Sequence, residues 1–130
     1  MIIKVNVVLQ NKEGKILVVK RSEKDGGFWQ TITGTVEPTD LRLVEAVKRE
    51  VKEETGLDVI VNAKPFYFFT WEKEDREVIE ICFWAYLRDN NDRVILSNEH
   101  TAYGWSSIEV ATEIVEKESN KKVLDIFKSI

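Results

Sequence analysis

The chain has 130 residues, 43% of them hydrophobic, which suits a single globular domain, 1–130, built around one core. Lysine and arginine total 19 against 23 aspartates and glutamates, a net charge of −4, so no global basic field recruits nucleic acid or an anionic membrane. No apolar run has membrane-spanning length, Met1-Ile2-Ile3-Lys4 lacks the parts of a secretory signal, and the single cysteine, Cys82, reads as core, so a reducing cytoplasm is the expected home.

In chain order, Ile2 to Leu9 is apolar and β-branched, Asn11 to Gly14 carries turn chemistry, and Lys15 to Lys20 resumes with Ile16, Leu17, Val18 and Val19, which predicts a hairpin. Arg21 to Gly27 reads as a polar loop and Trp29 to Thr33 as a short strand, followed by a loop at Gly34. Leu41 to Thr55 reads as a helix with Asp40 as N-cap and Gly56 just past its end. Val59 to Val61 and Phe66 to Trp71 are predicted strands, Glu72 to Arg76 a charged turn, and Val78 to Leu87 a further strand. A short strand at Val94 to Leu96 then leads into a loop holding Asn98 to His100. Ser106 or Ser107 is expected to cap a helix through Val115, and Ser119 a last one through Phe127. Strands around one central helix, with helices at the end, predict an α/β chain whose mixed sheet is covered on both faces.

The central helix carries acids where core residues belong. At ~100° per residue, Val44, Val47 and Val51 form its buried face, while Glu45, Lys48, Arg49 and Lys52 point to water. Glu50 and Glu54 continue the stripe begun by Leu43 and Val47, with Glu53 alongside. Three carboxylates on the flank of a packed face repel one another and lose hydration, so they call for a cation. An ordinary acidic helix end is the bland alternative, but Glu53 and Glu54 fall in the last turn, where the helix dipole disfavours anions. Oxygen donors of this kind favour a hard cation, magnesium or manganese.

The segment resembles the box of the Nudix hydrolases, G-x5-E-x7-R-E-U-x-E-E-x-G-U, with U a bulky aliphatic. Gly34 opens it, and Arg49, Glu50, Val51, Glu53, Glu54, Gly56 and Leu57 fill its second half. The first half departs: Asp40 stands where the family has Glu, and eight residues, not seven, separate it from Arg49. The strings Phe28-Trp29-Gln30-x-x-Thr33-Gly34-x-Val36-Glu37 and Glu99-His100-x-Ala102-Tyr103-x-Trp105 resemble bacterial dihydroneopterin triphosphate pyrophosphatases in particular. The resemblance implies a Nudix-type α/β/α sandwich with a central metal-binding loop and helix. It also implies hydrolysis of a diphosphate linkage in a nucleoside triphosphate such as dATP, or in dihydroneopterin triphosphate, giving monophosphate and pyrophosphate.

Residue roles follow from the same match. Glu50, Glu53, Glu54 and the carbonyl of Gly34 are the expected metal ligands, with Glu53, Glu54 and Arg49 in the catalytic group and Glu99 as the late acid acting as base or extra ligand. For Arg49, a surface pair with Glu45 is the alternative to orienting Glu53. Lys20 and Arg21 are expected to meet phosphate oxygens, with Lys24 open between that role and a solvated loop. Trp29 and Gln30 are candidates to hold a heterocycle, although tryptophan at Trp29 is as often core. The partner expected is a small phosphoanhydride, with no nucleic acid and no membrane, acted on by a monomer or homodimer. A dinucleoside polyphosphate such as diadenosine tetraphosphate is the alternative substrate, and a silent nucleotide-binding module the alternative outside enzymes.

Overall fold

A computed structural model describes residues Met1–Ile130. Its strands are β1 (Ile2–Gln10), β2 (Ile16–Arg21), β3 (Trp29–Gln30), β4 (Ile32–Thr35), β5 (Val59–Val61), β6 (Tyr67–Lys73), β7 (Arg76–Leu87) and β8 (His100–Ser106). Its helices are α1 (Leu43–Thr55), α2 (Ile108–Ile114) and α3 (Glu118–Lys128), with a 3-10 turn at Glu23–Asp25. The eight strands form one mixed sheet, with α1 against one face and α2 and α3 against the other.

β1 is the spine. It runs parallel to β7 along its whole length, from Ile2 opposite Val78 to Gln10 opposite Tyr86, and antiparallel to β4 from Lys4 opposite Thr35 to Val7 opposite Ile32. Because β4 occupies that edge, the expected β1–β2 hairpin closes only at its turn, where Gln10 faces Ile16. Asn11 Oδ1 accepts from the Glu13 and Lys15 amides there, and Gly14 takes a left-handed φ of 78°. β2 then diverges to pair with β3 and β8.

A strand covered on both faces reads as continuously apolar. In β1, Val5, Val7 and Leu9 join the cluster under α1, while Val8 joins Val18, Cys82, Ala111 and Leu124 beneath α2 and α3. The single core expected from length is therefore two clusters on opposite faces of one sheet.

Several predicted elements shift. α1 starts at Leu43, and Asp40 does not cap it: Arg42 holds the N-cap position with no side-chain cap. Ser107 does cap α2, accepting from the Val110 amide, whereas Ser119 lies inside α3, which starts after Lys117. Residues 94–96 form no strand; instead the Ile95 and Ser97 amides donate to the carbonyls of Thr55 and Glu54, meeting α1's open C-terminal acceptors. His100, placed in the predicted loop, begins strand β8, which runs to Ser106. The β6–β7 turn narrows to Glu74 and Asp75, both left-handed as a tight two-residue hairpin requires.

A chain of buried polar groups fastens α3 to the sheet. The Thr31 amide donates to Asn120 Oδ1 at 3.0 Å, Asn120 Nδ2 to Thr31 Oγ1 at 2.9 Å, Thr31 Oγ1 to Asn6 Oδ1 at 2.7 Å, and Asn6 Nδ2 to Glu80 Oε2 at 2.7 Å. Truncating one member strands a buried donor, which costs about 1–3 kcal/mol. Asn120→Ala, which leaves the Thr31 amide without its partner, should lower the unfolding free energy by that ~1–3 kcal/mol in urea titrations. A variant as stable as the parent would show that the chain carries no net stabilisation.

Candidate active site

Gly34 lies within β4, opposite Val5, and not in the loop expected of it. Its lack of a side chain matters because a Cβ built there would fall on the Glu50 carboxyl group. Glu50 is buried, at 8% exposure, and Glu54 at 4%, while the Glu53 side chain is 53% exposed. The helix thus carries two carboxylates into the packed flank and leaves the third at its rim.

Arg49 is turned inward, where the helical wheel had put it in water. Its Nε and Nη2 donate to Asp40 Oδ1 at 3.0 Å and Oδ2 at 2.8 Å, Nη2 also reaches the Thr35 carbonyl, and Nη1 donates to Glu50 at 3.0 Å and Glu53 at 3.1 Å. Glu45, offered as its surface partner, pairs with Arg42. The Asp40 bond holds the Arg49 guanidinium protonated well beyond its ordinary range, and the same bond lowers the Asp40 carboxyl. Burial raises Glu50 to about 7, with the neighbouring charges of Glu53 and Glu54 adding to the rise and Arg49 opposing it.

Glu54 meets a different set. Ser97 Oγ donates to its Oε2 at 3.2 Å, and His100 Nδ1 approaches the same oxygen at 2.7 Å, an ion-pair distance without good hydrogen-bond alignment. Burial alone would raise Glu54, but His100, Glu99 and Ser97 together hold it below its ordinary range. Glu99 moves the opposite way, to about 6, chiefly because it shares a hydrogen bond with Glu54. Two carboxyls side by side ionise unequally.

A cavity of about 500 Å³ opens on the α2/α3 face. Phe28, Phe69 and Trp71 supply aromatic surface, and Lys4, Arg21, Lys73 and Lys117 supply positive charge. Arg21 lies over the Phe28 ring at 5.7 Å, and its Nε is buried without a partner. Arg21 also faces His100 across the β2–β8 ladder, and the Ser22 amide beside it donates to the Glu99 carbonyl at 3.0 Å. One strand end therefore borders both the cavity and the acids. Burial lowers the Lys4 ammonium; Glu80 opposes this, and Lys73, Arg21 and Lys117 push it further down.

Of the residues predicted to hold substrate, Arg21 and Gln30 line this cavity. Trp29 packs on the cluster beneath α2 and α3, Lys20 pairs loosely with Glu23 at 3.9 Å, and Lys24 is exposed and does not line the cavity. Lys4, Asn6, Glu80, Trp71 and Asn120 were missed. The signal available was polar residues interrupting the otherwise apolar β1 and β7 runs.

The donor chemistry suits a divalent cation: the acids beside Gly34 offer only oxygen, and the Glu50 carboxyl occupies the place a Gly34 side chain would take. The side chains are not, however, preassembled, for no three acids, histidines or cysteines converge on one point, and Arg49 stands between Glu50 and Glu53. The residues fit the ion in kind, and Glu53, exposed at the rim, is held there by Arg49 Nη1.

A model of the NUDIX domain matches residues 2–127. The dihydroneopterin triphosphate diphosphatase of Escherichia coli K12 is 24% identical, the alignment covering 93% of this chain and 88% of that protein. An RNA pyrophosphohydrolase of Wolbachia pipientis is 30% identical, covering 97% and 88%. The asymmetrical bis(5'-nucleosyl)-tetraphosphatase of Sus scrofa is 32% identical, covering 74% and 67%.

Gly34→Ala forces the Glu50 carboxyl from its seat without a positive-φ penalty at the glycine. Turnover should fall ~10²-fold while circular dichroism keeps the parent spectrum, as when a metal ligand is misplaced by its support. Parent-like turnover in the folded variant would remove Glu50 from the site.

Proposed function

The chain belongs to the Nudix family of pyrophosphohydrolases, and from that premise we propose that it hydrolyses a nucleoside triphosphate or dihydroneopterin triphosphate to monophosphate and pyrophosphate. The observation that carries the reading is the single strand end at Arg21, shared by a one-nucleoside cavity and the acids of α1 and Glu99. The heterocycle would lie among Phe28, Phe69 and Trp71, with the phosphate chain running past Arg21 toward Glu50, Glu53 and Glu54.

Nudix hydrolases generally use divalent metal ions, and here Glu50, Glu53, Glu54 and the Gly34 carbonyl would hold magnesium or manganese. When bound, such an ion neutralises phosphate charge and acidifies water. Glu99, beside Glu54, is the base that takes the proton of the attacking water as the new P–O bond forms and the bridging P–O bond breaks. Arg49 positions Glu50 and Glu53 through its Nη1 bonds to both. Pyrophosphate leaves from one side of the cleaved anhydride and monophosphate from the other.

A second reading is supported by the porcine and murine relatives, both named asymmetrical bis(5'-nucleosyl)-tetraphosphatases. A second nucleoside needs its own aromatic platform, and the aromatic residues of the cavity line one chamber. Mononucleoside or pterin triphosphates should therefore show a higher kcat/KM than diadenosine tetraphosphate, with monophosphate and pyrophosphate as products separated by chromatography. Faster cleavage of the dinucleotide hands the assignment to the second reading. In the same preparation, millimolar manganese or magnesium should raise Tm, since a cation bound only by the folded acids stabilises by mass action, and Glu54→Gln should reduce that rise. An unmoved Tm in the parent protein would contradict the metal site.

A further inference from the structure

The floor of the cavity is polar in one fixed sense. Lys4 on β1 and Glu80 on β7 are direct cross-strand partners, and both line the cavity. Glu80 is buried at 7% exposure. Its Oε2 accepts from Asn6 Nδ2 at 2.7 Å and its Oε1 from Trp71 Nε1 at 3.1 Å. An amide side chain can be turned either way, but this one is set by the backbone. The Thr31 N–H can only donate, so it fixes Asn120, then the Thr31 hydroxyl, then Asn6, each donating onward until Glu80 receives. Glu80 is held as an acceptor, and a carboxylate with about four lone-pair sites keeps two after these bonds. Beside it stands Lys4, a donor only, 5.8 Å above the Trp71 ring centre.

A ligand lying against that floor meets a donor next to an acceptor of up to two further bonds. We propose that Lys4 and Glu80 read the edge of a 2-amino-4-oxo pyrimidine ring, the edge shared by guanine and pterins. Lys4 Nζ donates to the ring carbonyl oxygen, and Glu80 accepts from the adjacent ring N–H and the exocyclic amine. Adenine and cytosine present an amine where Lys4 donates and a bare nitrogen where Glu80 accepts, so both contacts fail. Uracil satisfies Lys4 and the ring N–H but brings its second carbonyl against the carboxylate. The inference rests on the proposed function only for which cavity takes the heterocycle, and it narrows the substrate to guanine or pterin triphosphates.

The test separates recognition from catalysis by using monophosphates without metal. By titration calorimetry in chelator-treated buffer, GMP should bind at least ~10-fold more tightly than AMP, and IMP, which lacks the 2-amino group, should fall between them. Glu80→Gln should bring GMP and AMP within ~3-fold of each other by weakening GMP alone, because the new amide keeps one acceptor and loses the other. Lys4→Met, at the partly exposed start of β1, guards against a misfolded Glu80 variant and should weaken GMP and IMP equally. GMP binding no more tightly than AMP overturns the proposal, as does a GMP preference that survives both substitutions. Hydrolysis of GTP and ATP with manganese is the second arm. A GMP preference without cleavage of any triphosphate refutes the activity and leaves the edge reading standing. Equal cleavage of GTP and ATP, with equal binding of GMP and AMP, does the reverse.

Discussion

The arrangement of the acids depends on the guanidinium of Arg49. It ties the loop at Asp40, the end of β4 at Thr35 and the helix acids Glu50 and Glu53 into one cluster. A half-buried cation with every N–H direction engaged offsets the repulsion that would otherwise keep Glu50 and Glu53 apart. The departure in the first half of the box is intelligible from the same contact. Aspartate is one methylene shorter than glutamate, and the extra residue before Arg49 lets the loop bring Asp40 to a two-pronged bond at 3.0 and 2.8 Å. Asp40 and the residues around it lie ahead of α1, which begins at Leu43, so this contact is made from the loop and not from the helix.

The sheet separates the acids from the cavity. The acids sit on the α1 side, where the Glu50 carboxyl rests on Gly34, and the cavity opens on the α2/α3 side. They meet where β2 ends, with Arg21 opposite His100 and Ser22 bonded to Glu99, and on β4, where Thr33 lines the cavity beside Gly34. This explains why the irregular chain from 88 to 99 matters. By bonding the Thr55 and Glu54 carbonyls it closes the C-terminal end of α1, and it sets Ser97 on the Glu54 carboxylate and carries Glu99 in beside it. An irregular run can do this because its amides are not committed to a ladder.

What the sequence revealed was whatever depends on local period and spacing. The apolar runs of β1 and β7, the body of α1 and its end at Gly56, and the helix positions of Glu50, Glu53 and Glu54 are all of that kind. Arg49 was misplaced because a helical wheel gives direction from the axis and ignores what a long side chain finds at its tip; here the partner, Asp40, is nine residues earlier in a loop. Trp29 was ambiguous because the two faces of a strand covered on both sides differ only by which layer lies above. β8 went unseen because Thr101, Tyr103 and Trp105 alternate weakly and its pairing is with the distant β2. Glu80 and Asn6 stood in the open as polar residues in apolar strands, but their meaning lies in a pairing across 74 residues of chain.

That pairing also shows why the buried polar chain is more than a fastener. Its polarity is set at Thr31, where a backbone amide has no choice of role, and is passed through two asparagine side chains to a carboxylate at the cavity floor. Lys4 stands opposite Glu80 across the β1–β7 ladder, so a donor and an acceptor lie side by side at the cavity floor. Stability alone does not call for a lysine opposite a buried glutamate, since apolar packing in place of buried charge is often neutral or stabilising. Retaining lysine and glutamate beside an aromatic chamber fits a demand for a fixed pattern of donor and acceptor, which apolar packing cannot provide.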